Sequence, residues 1–113
     1  MTALVLASAS KARSQMLHNA GIEFAVQPAR VDEAAIKEGM QADGAPPVDA
    51  AQALADLKAM RVSPDDVDTL VIGADQILEC EGVWFDKPES LEDAQNQLKT
   101  LSGRTHHLHT AAS

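Results

Sequence analysis

TLVIGADQILECEG, residues 69–82, is the segment on which the reading of the fold turns. Leu70, Val71 and Ile72 form an apolar run suited to a buried strand. The run passes through Gly73 and Ala74 and then delivers a carboxylate, Asp75, with an amide, Gln76, beside it. A charged group at the end of an apolar strand loses its hydration unless a cation, a metal or a substrate proton pairs with it. In α/β sheets ligands gather beyond the carboxyl ends of strands, which makes Asp75 a candidate site residue if 69–73 is a central strand. The plain alternative is an Asx turn or a helix-cap role. Beyond it, QILEC and VWF flank Glu81-Gly82, a pattern that predicts a hairpin with Gly82 at positive φ.

Upstream, ALVLA (3–7) reads as a short apolar strand. A helix follows, with Ser10 as N-cap, Ala12, Met16, Leu17 and Ala20 on one face, and Gly21 beyond its end. IEFAVQ (22–27) alternates as a half-buried strand, closed by Pro28. ARVDEAAIKEG leads into a short helical or turn segment, and QADGAPP (41–47) is a loop. VDAAQALADLKAMR (48–61) is made of strong helix formers, and SPDDVD (63–68) is a polar connection. SLEDAQNQLKTLSG is a second clear helix: Ser90 caps it, Glu92 and Asp93 sit in its first turn, Leu91, Ala94, Leu98 and Leu101 line its apolar face, and Gly103 ends it. RTHHLHTAAS opens another strand with nothing after it to cover its edge. Alternating strands and helices predict an α/β fold, a mixed sheet flanked by helices.

Composition narrows the function classes. At 113 residues the chain suits one domain, and 45% hydrophobic residues with only 3% aromatics imply an aliphatic core. A formal charge of −8 argues against a nucleic-acid polymer or an anionic membrane as partner, but not against a small phosphorylated ligand. One cysteine, Cys80, allows no intrachain disulfide. No run approaches the ~18 apolar residues of a membrane span, so the expectation is a cytoplasmic soluble domain.

Several residues carry candidate chemistry. In SASKAR (8–13) a strand, a small-residue turn and a helix start aim free N–H groups at one point; Ser8 and Ser10 add hydroxyls and Arg13 a guanidinium fork. Alone, the same residues are explained by helix capping and a solvated arginine. Glu33, next to Asp32, could ligate Mg²⁺, although loop acids are usually solvated. Spacing alone sends the Lys58 side chain from its Ala/Leu-rich helix toward water. Lys87 and Arg104 add cations beside turns. His107 and His109 share a strand face while His106 points away, and no further ligand at metal-site spacing accompanies them.

The order of these blocks is more specific than any one of them. LASASKAR (6–13), VDE (31–33), Lys58 within its helix, VIGAD (71–75), WFDKP (84–88) and LSGRTH (101–106) together resemble the Maf family of nucleoside triphosphate pyrophosphatases. The resemblance implies a Maf-like (inosine triphosphatase-like) fold in which residues 1–113 form the N-terminal part of a single domain, truncated, with the C-terminal half absent. It implies a metal-dependent enzyme that hydrolyses a nucleoside triphosphate to the monophosphate and pyrophosphate with Mg²⁺ or Mn²⁺. By position, Asp75 matches the catalytic acid and a metal partner, Glu33 the second acid near the metal, and Ser8, Ser10 and Arg13 the phosphate-binding turn. Lys58 and Lys87 match the basic residues that neutralise phosphate. The small Gly73 and Ala74 are expected to let phosphate and metal approach. Ala12 stands where the family has an arginine tied to substrate choice, with Lys11 in place of the usual proline. Gln76 resembles the branch acting on 7-methyl-GTP rather than the dTTP/UTP-preferring branch, while Ala12 matches neither. The alternative implied by the family's septum-related name is a nucleotide-binding regulatory module linked to cell division, with catalysis weak or lost. The shortened chain is expected to turn over slowly and to self-associate as a homodimer through the strand at 105–111.

Overall fold

The run TLVI and the segment that follows Gly73 belong to two different sheets, and the change of partner at that glycine organises the fold. A computed structural model of the chain describes residues 3–62 and 67–113; residues 63–66 of the expected polar connection lie outside them. Strand β1 (Ala3–Leu6) is followed by α1 (Lys11–Asn19), β2 (Ala25–Val26), α2 (Glu33–Ala42) and α3 (Pro47–Val62). Then come β3 (Thr69–Ile72), β4 (Ala74–Cys80), β5 (Val83–Phe85), α4 (Leu91–Leu101) and β6 (His107–Ala112).

The first sheet is parallel, in the order β2-β1-β3, with Leu4 opposite Leu70 and Leu6 opposite Ile72. Its ladder reaches one residue further, where the Ala7 N–H donates to the Ile72 carbonyl at 2.8 Å. The second is antiparallel, in the order β5-β4-β6. The α/β class expected from the sequence is present, with the parallel and antiparallel pairings divided between these two sheets. Glu81 (φ 52°) and Gly82 (φ 85°) form the expected tight turn of the β4–β5 hairpin. Both conformations lie in the left-handed region, which Gly82 adopts without steric penalty.

At Gly73 the chain leaves β1 and takes up the far strand. Its N–H donates to the Ser113 carbonyl and its carbonyl accepts from the Ser113 N–H, each at 2.8 Å, extending the β4–β6 ladder. The small size expected to admit a ligand is used differently. A Cβ at Gly73 would overlap the Ala55 carbonyl oxygen and lie 2.7 Å from the Ala59 nitrogen. Helix α3 therefore rests its backbone directly on this glycine.

Helix α3 can approach so closely because its buried face is mostly alanine: Ala50, Ala51, Ala55 and Ala59, with Leu54 and Val62. Pro47 opens it where a missing N–H costs nothing, and Asp49 and Arg61 complement its dipole. The core joins Ala50, Ala51 and Ala55 to Ile77 and Ala111 of the antiparallel sheet, with Met40 and Trp84 packed against it.

Two expectations change. The alternating segment 22–27 forms a strand only at Ala25 and Val26, with the Gln27 N–H donating to the Leu6 carbonyl, and Ile22 and Val26 are exposed. Helix α4 has its expected cap, the Ser90 hydroxyl accepting from the Asp93 N–H, but its apolar face is not buried: Leu91 is 77% and Leu98 67% exposed. Amphipathic spacing identified the stripe, and no described element covers it.

The packing at Gly73 separates two kinds of glycine. Gly73→Ala should lower stability by about 2–3 kcal/mol through overpacking against α3. Gly39→Ala, in α2 with nothing near a new Cβ, should instead raise it by about 0.5–1 kcal/mol. Urea denaturation of both variants checks the opposite signs.

Candidate functional site

Beyond the carboxyl end of the parallel sheet, three elements bring charged side chains together. Asp75 enters from β4, three residues past Ile72, and is 5% exposed. On that strand Asp75 and Ile77 project to the same face, against α3. Lys58 of α3 lies under this face and does not reach water as its helical spacing suggested; it is 9% exposed. Its ammonium donates to Asp75 Oδ1 at 3.0 Å, with the Ala74 carbonyl at 3.5 Å, and pairs with Glu33 Oε1 at 2.5 Å. Glu33 is the first residue of α2, placed there because the Asp32 carboxylate caps that helix by accepting from the Ala35 N–H. A buried ammonium without partners would be strongly unfavourable, and two carboxylates offset that penalty. Two acids against one base leave the cluster with one negative charge. The second carboxylate oxygen of Asp75, Oδ2, is buried and has no hydrogen-bond partner among the described residues.

The serine turn leaves the same end of the sheet from β1. Ser8 is buried, and its hydroxyl oxygen accepts from Arg13 Nη1 at 3.0 Å and from the Ser10 N–H at 3.2 Å. Ser10 caps α1, its hydroxyl accepting from the Arg13 N–H at 3.3 Å. Capping and anion-site geometry are therefore the same contacts here: the cap orients α1 so that Arg13 folds back over Ser8. Ser8 follows β1, and Asp75 lies three residues beyond the end of β3, the strand that pairs with β1.

The remaining expected residues stand apart. Lys87 is exposed beyond β5, and its neighbour Asp86 pairs instead with Lys37 at 3.3 Å. Ala12 is exposed on α1. Gln76 projects from the face of β4 opposite Asp75, is exposed, and its Oε1 accepts from the Thr110 hydroxyl at 3.0 Å. Thr110 carried no signal of its own in the sequence; only the β4–β6 register, which sets it across from Gln76, reveals it. His107 and His109 stack at 5.8 Å, and His109 Nε2 lies 3.6 Å from Glu79 Oε1. Among the described residues no group of three or more His, Cys, Asp or Glu is arranged to hold a metal ion, and no helix is long and apolar enough to cross a membrane.

Comparison with known proteins agrees with the order of the sequence blocks. The model of the family described as Maf-like protein matches residues 3–113. A protein of Granulibacter bethesdensis named nucleoside triphosphate pyrophosphatase is 52% identical over 108 residues, covering 96% of this chain and 55% of its own length. One of Paramagnetospirillum magneticum with the same name is 50% identical, covering 95% and 55%. A protein of Brucella abortus named 7-methyl-GTP pyrophosphatase is 46% identical, covering 96% and 54%. The chain thus spans about half the length of the curated relatives it matches.

Burial differs across the acidic pair: the Asp75 side chain is 7% exposed and that of Glu33 41%. Asp75→Ala removes the better-buried partner of Lys58 and should cost about 3 kcal/mol. Glu33→Ala, at a solvent-screened contact, should cost about 1 kcal/mol. Chemical denaturation of the two variants should show that order.

Proposed function

The chain belongs to the Maf-like family, and from that premise we propose that its acidic cluster and serine turn form part of the site of a nucleoside triphosphate pyrophosphatase. The observation that carries this reading is Asp75, a buried carboxylate with one oxygen held by Lys58 and the other unpartnered. Oδ2 orients a water molecule and takes its proton as the water oxygen attacks at the α–β phosphate linkage. The phosphorus–oxygen bond of that linkage breaks, and pyrophosphate leaves with the bridging oxygen. Arg13 and the hydroxyls of Ser8 and Ser10, at the N-terminus of α1, bind the phosphates.

Asp75 Oδ2 and the Glu33 carboxylate suit a divalent cation, because Mg²⁺ takes one or two carboxylates and completes its shell with water and phosphate oxygens. When bound, Mg²⁺ or Mn²⁺ supplies positive charge to the phosphates. The relatives named for 7-methyl-GTP favour a methylated guanine nucleotide as substrate, with dTTP and UTP the competing class. The test is a panel of ordinary and methylated nucleoside triphosphates with Mg²⁺, scored for pyrophosphate. The chain should release pyrophosphate from at least one of them, and Asp75→Asn should abolish release while retaining nucleotide binding. Binding without pyrophosphate from any triphosphate would point instead to a nucleotide-binding regulatory module.

We also propose self-association through β6, whose outer edge has no described strand beside it. Light scattering should show a mass that rises with protein concentration toward a dimer; a constant monomer mass at high concentration contradicts it.

A further inference from the structure

Lys58 has three ammonium hydrogens, and the fold supplies three acceptors: Glu33 Oε1 at 2.5 Å, Asp75 Oδ1 at 3.0 Å and the Ala74 carbonyl at 3.5 Å. No hydrogen is left over for a phosphate oxygen. The ammonium is also buried, so its charge is poorly screened and acts mainly on the two carboxylates that enclose it. These are the same two acids that suit a divalent cation. We propose that Lys58 is a positioning residue that makes divalent-cation binding conditional on the nucleotide, rather than a ligand of the phosphates.

The argument rests on the reading of Asp75 and Glu33 as the acids that face the cation. Lys58 occupies one oxygen of each, and it turns Asp75 so that Oδ2 is the oxygen left free. With Lys58 in place the cluster has a net charge of only −1, and an incoming divalent cation meets a fixed positive charge within the same ion group. Phosphate oxygens reverse that balance, since they bring several negative charges and further ligands to the cation at once. The bare cation is therefore held weakly, and the cation–nucleotide pair is held well. The polarity of the arrangement follows from burial: Lys58 has no solvated position to retreat to when a bare cation arrives, because α3 is packed against β4 around it.

The test is Mn²⁺ binding, read from the electron paramagnetic resonance signal of the free ion, with and without a non-hydrolysable nucleoside triphosphate. Without nucleotide, Lys58→Met should bind Mn²⁺ at least tenfold more tightly than the native chain, and Lys58→Arg should stay within threefold of it. Nucleotide should tighten Mn²⁺ binding at least tenfold in the native chain and less than threefold in Lys58→Met. Mn²⁺ binding by Lys58→Met that equals or falls below the native value overturns the inference. Lys58→Gln, whose amide still donates to Asp75 without a charge, replaces the methionine variant if that one does not fold, with the same expectation. The nucleotide-free comparison requires no turnover. A failure to release pyrophosphate would therefore overturn the hydrolase reading alone, whereas unchanged Mn²⁺ binding would overturn this one alone.

Discussion

The ammonium of Lys58, enclosed by Glu33, Asp75 and the Ala74 carbonyl, is the interaction around which the rest of the structure is arranged. It joins the consecutive helices α2 and α3 to β4, and α3 otherwise meets β4 mainly through small apolar side chains. Apolar residues in place of all three ionised groups would pack as well and would avoid their desolvation. Retaining ions there makes chemical sense for a site. The lysine permits a carboxylate to stay buried at a strand end, where water alone could not keep it charged, and it leaves that carboxylate one free oxygen.

Gly73 makes the placement of the cluster possible. Parallel pairing with β1 stops at Ile72 and antiparallel pairing with β6 continues from Gly73, so β4 starts where the two sheets part. Ligands in α/β proteins gather where strands diverge, because side chains from neighbouring strands then border an open crevice. The missing Cβ also lets α3 come within backbone contact, which brings Lys58 to the level of Asp75. Fold and site thus depend on the same glycine for different reasons. Its small size serves helix packing, and through that packing it sets the position of the lysine.

The serine turn has a similar economy. Ser10 ends the turn as the cap of α1, and Ser8 receives the arginine that the cap orients. Helix capping and the proposed anion recognition draw on the same donors and acceptors, which explains why residue types alone could not separate the two roles.

Local physics was legible in the chain. The caps at Ser10 and Ser90, the Glu81-Gly82 hairpin and the long helix of 47–62 each follow from contacts within a few residues, which sequence spacing encodes directly. The ordered blocks from Ser8 to His106 likewise marked the family. What spacing could not encode is contact between distant segments. Helical periodicity sent Lys58 to solvent, because only the packing of α3 on β4 and the arrival of α2 enclose it. The two-residue alternation of β4 separates Asp75 from Gln76, but which of them is buried depends on the face that α3 covers. By itself the sequence determined the order of helices and strands, the helix caps at Ser10 and Ser90 and the identity of the charged groups. Tertiary structure alone decided which of those groups meet and which oxygen remains free, because burial and pairing arise only when separate elements share one small volume.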